Sequence, residues 1–116
     1  LPRMVEVNGE PGLEWVSWDG DRQFLKERGR ILEPMGPAYI DLNQIAVVIV
    51  PALRVDGDGY RLGQGGGFYD RALAEVGAWS IALIFPEEIS GQPLPRESHD
   101  VPVNAYATYD MVVRLS

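Results

Sequence analysis

Apolar residues along this chain change their spacing from one segment to the next, and each change predicts an element. Leu1, Val5 and Val7, the turn chemistry of Asn8-Gly9-Glu10-Pro11-Gly12, and then Leu13, Trp15 and Ser17 on one face predict two short strands around a turn. Trp15 and Trp18 read as packing residues rather than the wall of a ligand pocket. Asp19 or Asp21 is placed to cap a short helix running to Arg28, with Phe24 and Leu25 inward and Gly29 at its end. The prolines of Glu33-Pro34-Met35-Gly36-Pro37 each remove a donor and restrict the preceding residue, which predicts a connector along the surface or a cleft wall. The continuous run Ile45-Ala46-Val47-Val48-Ile49-Val50 predicts a central strand buried on both faces.

Tyr69, Ala72, Leu73 and Val76 recur at helical spacing, and Gly77 stands where a C-terminal cap belongs. Trp79 to Phe85 is a second apolar run, so residues 45–85 read as strand, loop, helix, strand, a right-handed parallel crossover with the loop at the carboxyl end of its first strand. Pro86 to Pro102 is proline-rich and irregular, and Ala105 to Arg114 supplies a last strand around Met111-Val112-Val113. The expected fold is α/β, one domain over residues 1–116, with a mostly parallel sheet and flanking helices in a Rossmann-like three-layer arrangement.

Composition narrows what such a domain does. A net charge of −7 over 116 residues, with only 10 Lys and Arg, argues against a nucleic-acid or anionic-membrane surface. Cysteine is absent, so neither disulfides nor thiolate metal sites support the fold, and the cytoplasm is the expected setting. No apolar run approaches the length of a membrane span, and no signal-peptide pattern opens the chain.

The candidate chemistry lies between Gly57 and Arg71, which holds six of the 13 glycines. Glycine is costly to order, so a run such as Gly65-Gly66-Gly67 points to unusual backbone angles or to close approach of a ligand. A strand, a glycine-rich turn and a helix start in succession form an anion site, because free N–H groups converge there and the helix dipole favours negative charge. Neither common phosphate fingerprint fits these glycines, and a simple surface turn accounts for a glycine run taken alone. The order Arg61, glycines, Phe68-Tyr69, Asp70 puts a cation, bare backbone, an aromatic wall and a carboxylate into one span. Asp100, in His99-Asp100-Val101-Pro102, is a second carboxylate able to join Asp70 around a partly hydrated Mg²⁺; equally, the dipole satisfies Asp70 and a local turn satisfies Asp100. His99, without a second histidine, reads as a neighbour that shapes the Asp100 loop.

Gly59-Tyr60-Arg61-Leu62-Gly63-Gln64-Gly65-Gly66-Gly67-Phe68-Tyr69-Asp70-Arg71 resembles the signature loop of the 5-formyltetrahydrofolate cyclo-ligase family, also called methenyltetrahydrofolate synthetase. Ile31-Leu32-Glu33-Pro34 and Val48-Ile49-Val50-Pro51-Ala52-Leu53 upstream, and Leu94 to Val103 downstream, resemble further motifs of that family in the same order. The resemblance implies ATP-dependent closure of 5-formyltetrahydrofolate to 5,10-methenyltetrahydrofolate: the γ-phosphoryl group goes to the formyl oxygen, and N10 then displaces phosphate. It implies that Arg61, Leu62, Gly63, Gln64, Gly65, Gly66, Gly67, Phe68 and Tyr69 line the ATP phosphates, that Arg61 offsets their charge, that Phe68 stands against the folate, and that Asp70 and Asp100 hold Mg²⁺. Such chemistry depends on in-line alignment and charge neutralisation more than on side-chain acids or bases.

Phe68 stands where the family often has tyrosine, and Gly66 where some members have lysine. The resemblance reaches the C-terminal portion of a longer family pattern, whose N-terminal part supplies a basic ATP-contacting segment and a folate-contacting leucine and glutamate; nothing here matches either. With Leu1 as first residue, the expectation is a chain that binds nucleotide but catalyses poorly until a missing N-terminal segment or a second chain is supplied. The competing readings are a non-catalytic nucleotide- or folate-binding module and a structural domain completing another chain's sheet.

Overall fold

Asn8 and Gly9 take φ of 53° and 80°, and this two-residue turn reverses the chain between β1 (Pro2–Val7) and β2 (Glu10–Trp15), paired antiparallel from Val7↔Glu10 to Pro2↔Trp15. A hairpin forms where one was expected, but its turn is Asn8-Gly9 alone, and Glu10, Pro11 and Gly12, expected in the turn, begin the second strand, which ends at Trp15. The computed structural model describes residues 1–39, 41–63 and 67–116.

The expected helix ending at Arg28 is not formed. Asp21 caps a single 3-10 turn, Arg22–Phe24, and the chain enters β3 (Leu25–Arg28), which pairs antiparallel with β4 (Ile31–Pro34). Gly29, at φ 62°, supplies the turn, and Phe24 is exposed, so a helix there would have had no apolar face to bury. Glu33 and Pro34, expected in a surface connector, end this strand and are buried. The Glu33 carboxylate accepts the Met4 N–H at 2.7 Å, which joins the two hairpins.

After a 3-10 turn capped by Asp41, the main sheet begins with β5 (Val47–Pro51), followed by a small antiparallel hairpin, β6 (Arg54–Val55) and β7 (Arg61–Leu62). The chain continues through α1 (Phe68–Val76), β8 (Trp79–Leu83), β9 (Ala105–Ala107) and β10 (Val112–Arg114). The strand order is β10-β9-β8-β5, with β5, β8 and β9 parallel and β10 antiparallel to β9. The final strand expected after Ala105 is therefore two strands, and residues 86–102 are irregular apart from one 3-10 turn, Pro86–Glu88.

The class is α/β as expected, but the sheet is mixed and α1 is the one α-helix among the described residues. β5 is an edge strand, not a central one. Its residues alternate: Val48 and Val50 are buried, while Val47 and Ile49, opposite Trp79 and Ile81 of β8, are exposed. Val48, Val50, Ala82 and Tyr106 form the core with Leu73 and Val76 of α1, whereas on the opposite face Val47, Ile49 and Leu83 are left exposed. Gly77, at φ 62°, ends α1 in the left-handed conformation, and Ala72, Leu73 and Val76 are its buried stripe, all as the spacing predicted. No helix among the described residues is long and apolar enough to cross a membrane.

Candidate functional site

The β6–β7 hairpin, which hydrophobic periodicity missed, turns Arg61 inward. Its side chain is 7% exposed, with Nη2 3.3 Å from Asp70 Oδ1 and the guanidinium carbon 5.7 Å from the centre of the Tyr69 ring. Arg61 Nε is buried without a hydrogen-bond partner among the described residues. A Cβ on Gly63 would stand 3.0 Å from Arg61 Nη1, so the bare backbone leaves room for the guanidinium. Burial pushes the Tyr69 phenol above its ordinary pKa, and the Arg61 charge offsets this only in part.

Gly67, at φ 71°, leads into α1 with no side-chain cap, and a Cβ there would meet nothing within 4 Å. Gly67 has no side chain to cap the first-turn N–H groups of α1, and among the described residues nothing stands at its Cβ position, an arrangement that fits an anion. Asp70 lies in the same turn, and its Oδ1 also accepts the Val101 N–H at 3.2 Å. That bond brings the Asp100 loop alongside. Asp100 Oδ2 accepts the Glu97 N–H at 2.8 Å, and its Oδ1 is 3.5 Å from Nε2 of the exposed His99, which stands beside it in this loop.

Arg61, Tyr69, Asp70 and the Asp100 loop are therefore brought together, while Phe68 is not part of that group. Its ring borders a separate open cleft of about 220 Å³ with Met4, Val5, Pro11 and Arg28. Arg71, one turn along α1, donates to the Pro11 carbonyl at 2.8 Å and fixes the β1–β2 hairpin against the helix. Leu62 is exposed, and its carbonyl accepts the Leu53 N–H. Gln64, Gly65 and Gly66, expected along the phosphates, lie outside the described residues.

No group of three or more His, Cys, Asp or Glu side chains gathers among the described residues. The Val101 bond nevertheless sets the Asp100 loop beside Asp70, and carboxylate oxygens are the donors Mg²⁺ takes, commonly one or two together with substrate phosphates.

Sequence reasoning missed the most buried carboxylate in this region. Asp56, between β6 and β7, is 1% exposed. Its Oδ1 accepts the N–H groups of Asp58 (2.9 Å) and Tyr60 (3.0 Å); its Oδ2 accepts the Leu94 N–H (2.8 Å) and pairs with Arg96 Nη2 (3.1 Å). Arg96 also reaches Asp58 at 3.3 Å and stacks 3.9 Å from the centre of the Tyr60 ring. Burial alone would raise the Asp56 pKa, but the N–H groups of Leu94, Asp58 and Tyr60, together with the Arg96 charge, outweigh it and hold the carboxyl below its ordinary value. Gly59, at φ 88°, lies where a Cβ would collide with the Val103 carbonyl oxygen, and its own carbonyl accepts the Val103 N–H at 2.8 Å. Asp-Gly-Asp-Gly reads as ordinary turn chemistry; the arginine that makes it more is 40 residues away.

Residues 1–109 match the model of the 5-formyltetrahydrofolate cyclo-ligase family. Over 93 residues the chain is 41% identical to 5-formyltetrahydrofolate cyclo-ligase of Mycolicibacterium smegmatis, covering 77% of this chain and 47% of that protein. The Escherichia coli K12 protein of the same name is 35% identical over 103 residues, 83% of this chain and 55% of that one. In three dimensions the chain resembles 5,10-methenyltetrahydrofolate synthetase of Aquifex aeolicus, with a TM-score of 0.71 and 32% identity over 98% of this chain and 56% of that one. The synthetase of Mycoplasma pneumoniae, at TM-score 0.61 and 17% identity, shares the fold. The chain spans about half the length of these relatives.

Proposed function

Because the chain belongs to the 5-formyltetrahydrofolate cyclo-ligase family, we propose that it serves the ATP- and Mg²⁺-dependent closure of 5-formyltetrahydrofolate to 5,10-methenyltetrahydrofolate, with ADP and phosphate released. The observation that carries this reading is the meeting of Arg61, Asp70 and the uncapped start of α1, with the Asp100 loop bonded to Asp70 through Val101. Bound MgATP supplies the activating phosphoryl group. Toward it, the span from Arg61 to Tyr69 lies along the phosphates, the α1 N–H groups hold them, and Arg61 offsets their charge. Asp70 and Asp100 hold the metal, and Phe68, in its cleft against the β1–β2 hairpin, is the wall offered to the folate. The single domain 1–116 and a cytoplasmic setting belong to the same reading.

The cleft beside Phe68, at about 220 Å³, is smaller than the roughly 300–1,000 Å³ of small-molecule pockets. That favours, as second reading, a module that binds nucleotide without turning over folate. The test is methenyltetrahydrofolate formation, followed by absorbance, with 5-formyltetrahydrofolate, ATP and Mg²⁺. It is run on the 116-residue chain alone and again with the separately expressed N-terminal half of the Mycolicibacterium smegmatis relative. Magnesium-dependent product in either arm supports the cyclo-ligase reading. MgATP binding without product in both arms supports the module, and absence of MgATP binding removes both.

A further inference from the structure

Asp56 divides its two oxygens between two parts of the chain. Oδ1 serves its own hairpin, through Asp58 and Tyr60, and Oδ2 serves residues 94 and 96, some 40 positions on. A turn alone would need only the first oxygen, since an aspartate satisfying backbone two residues ahead is ordinary turn chemistry. Nor does a turn need a charge at 1% exposure, which is unfavourable unless several donors surround it. The second oxygen begins a closed circuit. From Asp56 it runs to Leu94 and Arg96; further along that segment the Val101 N–H reaches Asp70 and the Val103 N–H reaches Gly59, three residues from Asp56. Arg96, stacked on Tyr60, lies beside the residue that precedes Arg61. Among the described residues, Tyr60 before Arg61, Asp70 in α1 and the Asp100 loop are all tied to this circuit.

We propose that Asp56 is a positioning residue of the nucleotide site: through Leu94 and Arg96 it sets the separation between the first turn of α1, which carries Asp70, and the loop that carries Asp100, and so determines whether both carboxylates reach one Mg²⁺. The proposal rests on the MgATP reading above, and its consequence is specific. Two carboxylates on separate segments, one helical and one a loop, bind a small cation that demands near-octahedral geometry only when the segments are held in register. Loosening the tie between them weakens metal-dependent nucleotide binding while leaving metal-free ATP, held by Arg61 and α1, largely unaffected.

The test uses Asp56→Asn and Arg96→Gln. Asparagine keeps the size of Asp56 and an acceptor for the Asp58 and Tyr60 N–H groups, but then turns an NH₂ toward the Leu94 N–H and Arg96, where two donors cannot pair. Arg96→Gln removes the Arg96 leg of the same tie from a partly exposed position and keeps the buried carboxylate and its Leu94 bond. In ligand-free protein, amide hydrogen exchange at Leu94, Val101 and Val103 is expected to accelerate about tenfold in both variants, with β8 amides unchanged. By calorimetry, affinity for MgATP is expected to fall about tenfold and affinity for ATP in chelator to change by less than about twofold. Unchanged exchange at Val101 and Val103 overturns the proposal. Equal acceleration throughout β8 does the same, because Asp56 would then act on global stability alone. An equal loss of affinity with and without metal overturns it too. If the unmutated protein binds no MgATP, the nucleotide reading fails, and the exchange result alone decides whether Asp56 sets the loops.

Discussion

Arg61 Nη2 lies 3.3 Å from Asp70 Oδ1, with the two side chains 7% and 17% exposed. The residue proposed to meet phosphate charge and the residue proposed to meet the metal neutralise each other where they stand. This pairing accounts for a cation and a carboxylate nine positions apart both being held largely out of water.

Breaking that pair leaves a buried guanidinium uncompensated. Asp70→Asn is expected to lower unfolding free energy by about 3 kcal/mol, a large share of the roughly 5–15 kcal/mol typical of a small domain. Urea denaturation measures it. A variant as stable as the parent would show that solvent already compensates Arg61.

Gly59 and Gly77 both have positive φ, at 88° and 62°, but only Gly59 has backbone in the way of a Cβ. Gly77→Ala is expected to cost about 1 kcal/mol, the left-handed penalty alone. Gly59→Ala is expected to cost about 3 kcal/mol or more, because the hairpin must also move from Val103. Comparable urea midpoints for the two variants would mean that the Gly59–Val103 approach is not a close constraint.

The lowered pKa of Asp56 gives stability a pH dependence of definite sign. A carboxyl whose folded value lies below the unfolded value of about 3.9 contributes fully above that pH, and the contribution is lost as pH falls through the folded value. Urea midpoints of the parent and Asp56→Asn, compared from about pH 7 down to about pH 2.5, are expected to converge in acid. Parallel curves would remove Asp56 from the acid response.

Elements with local signals were legible. The existence of a turn after Val7, though not its two-residue length, and the stripe Ala72, Leu73, Val76 closed by Gly77 carry their instructions within a few positions. The β3–β4 hairpin was not legible, because Leu25–Arg28 resembles a helix end until Ile31–Pro34 pairs with it. The run before the glycine loop marked β5 but not its place at the sheet edge, since an apolar stretch does not reveal which of its faces is covered. At the site, resemblance singled out Asp70 and Asp100, and their approach through Val101 follows from folding. Asp56 was hidden because its meaning lies in Arg96 and Leu94, far along the chain.

The proposal that Asp70 and Asp100 hold Mg²⁺ beside a phosphate site is tested most directly by calorimetric titration with ATP, in excess Mg²⁺ and in chelator, on the parent, Asp70→Ala and Asp100→Ala. Asp70→Ala also frees Arg61, so circular dichroism on the same samples confirms folding. The expected result is that the parent prefers MgATP to free ATP by about tenfold or more, and that each variant loses this preference and recovers part of it at high Mg²⁺. An undiminished preference for MgATP in both folded variants would contradict the assignment.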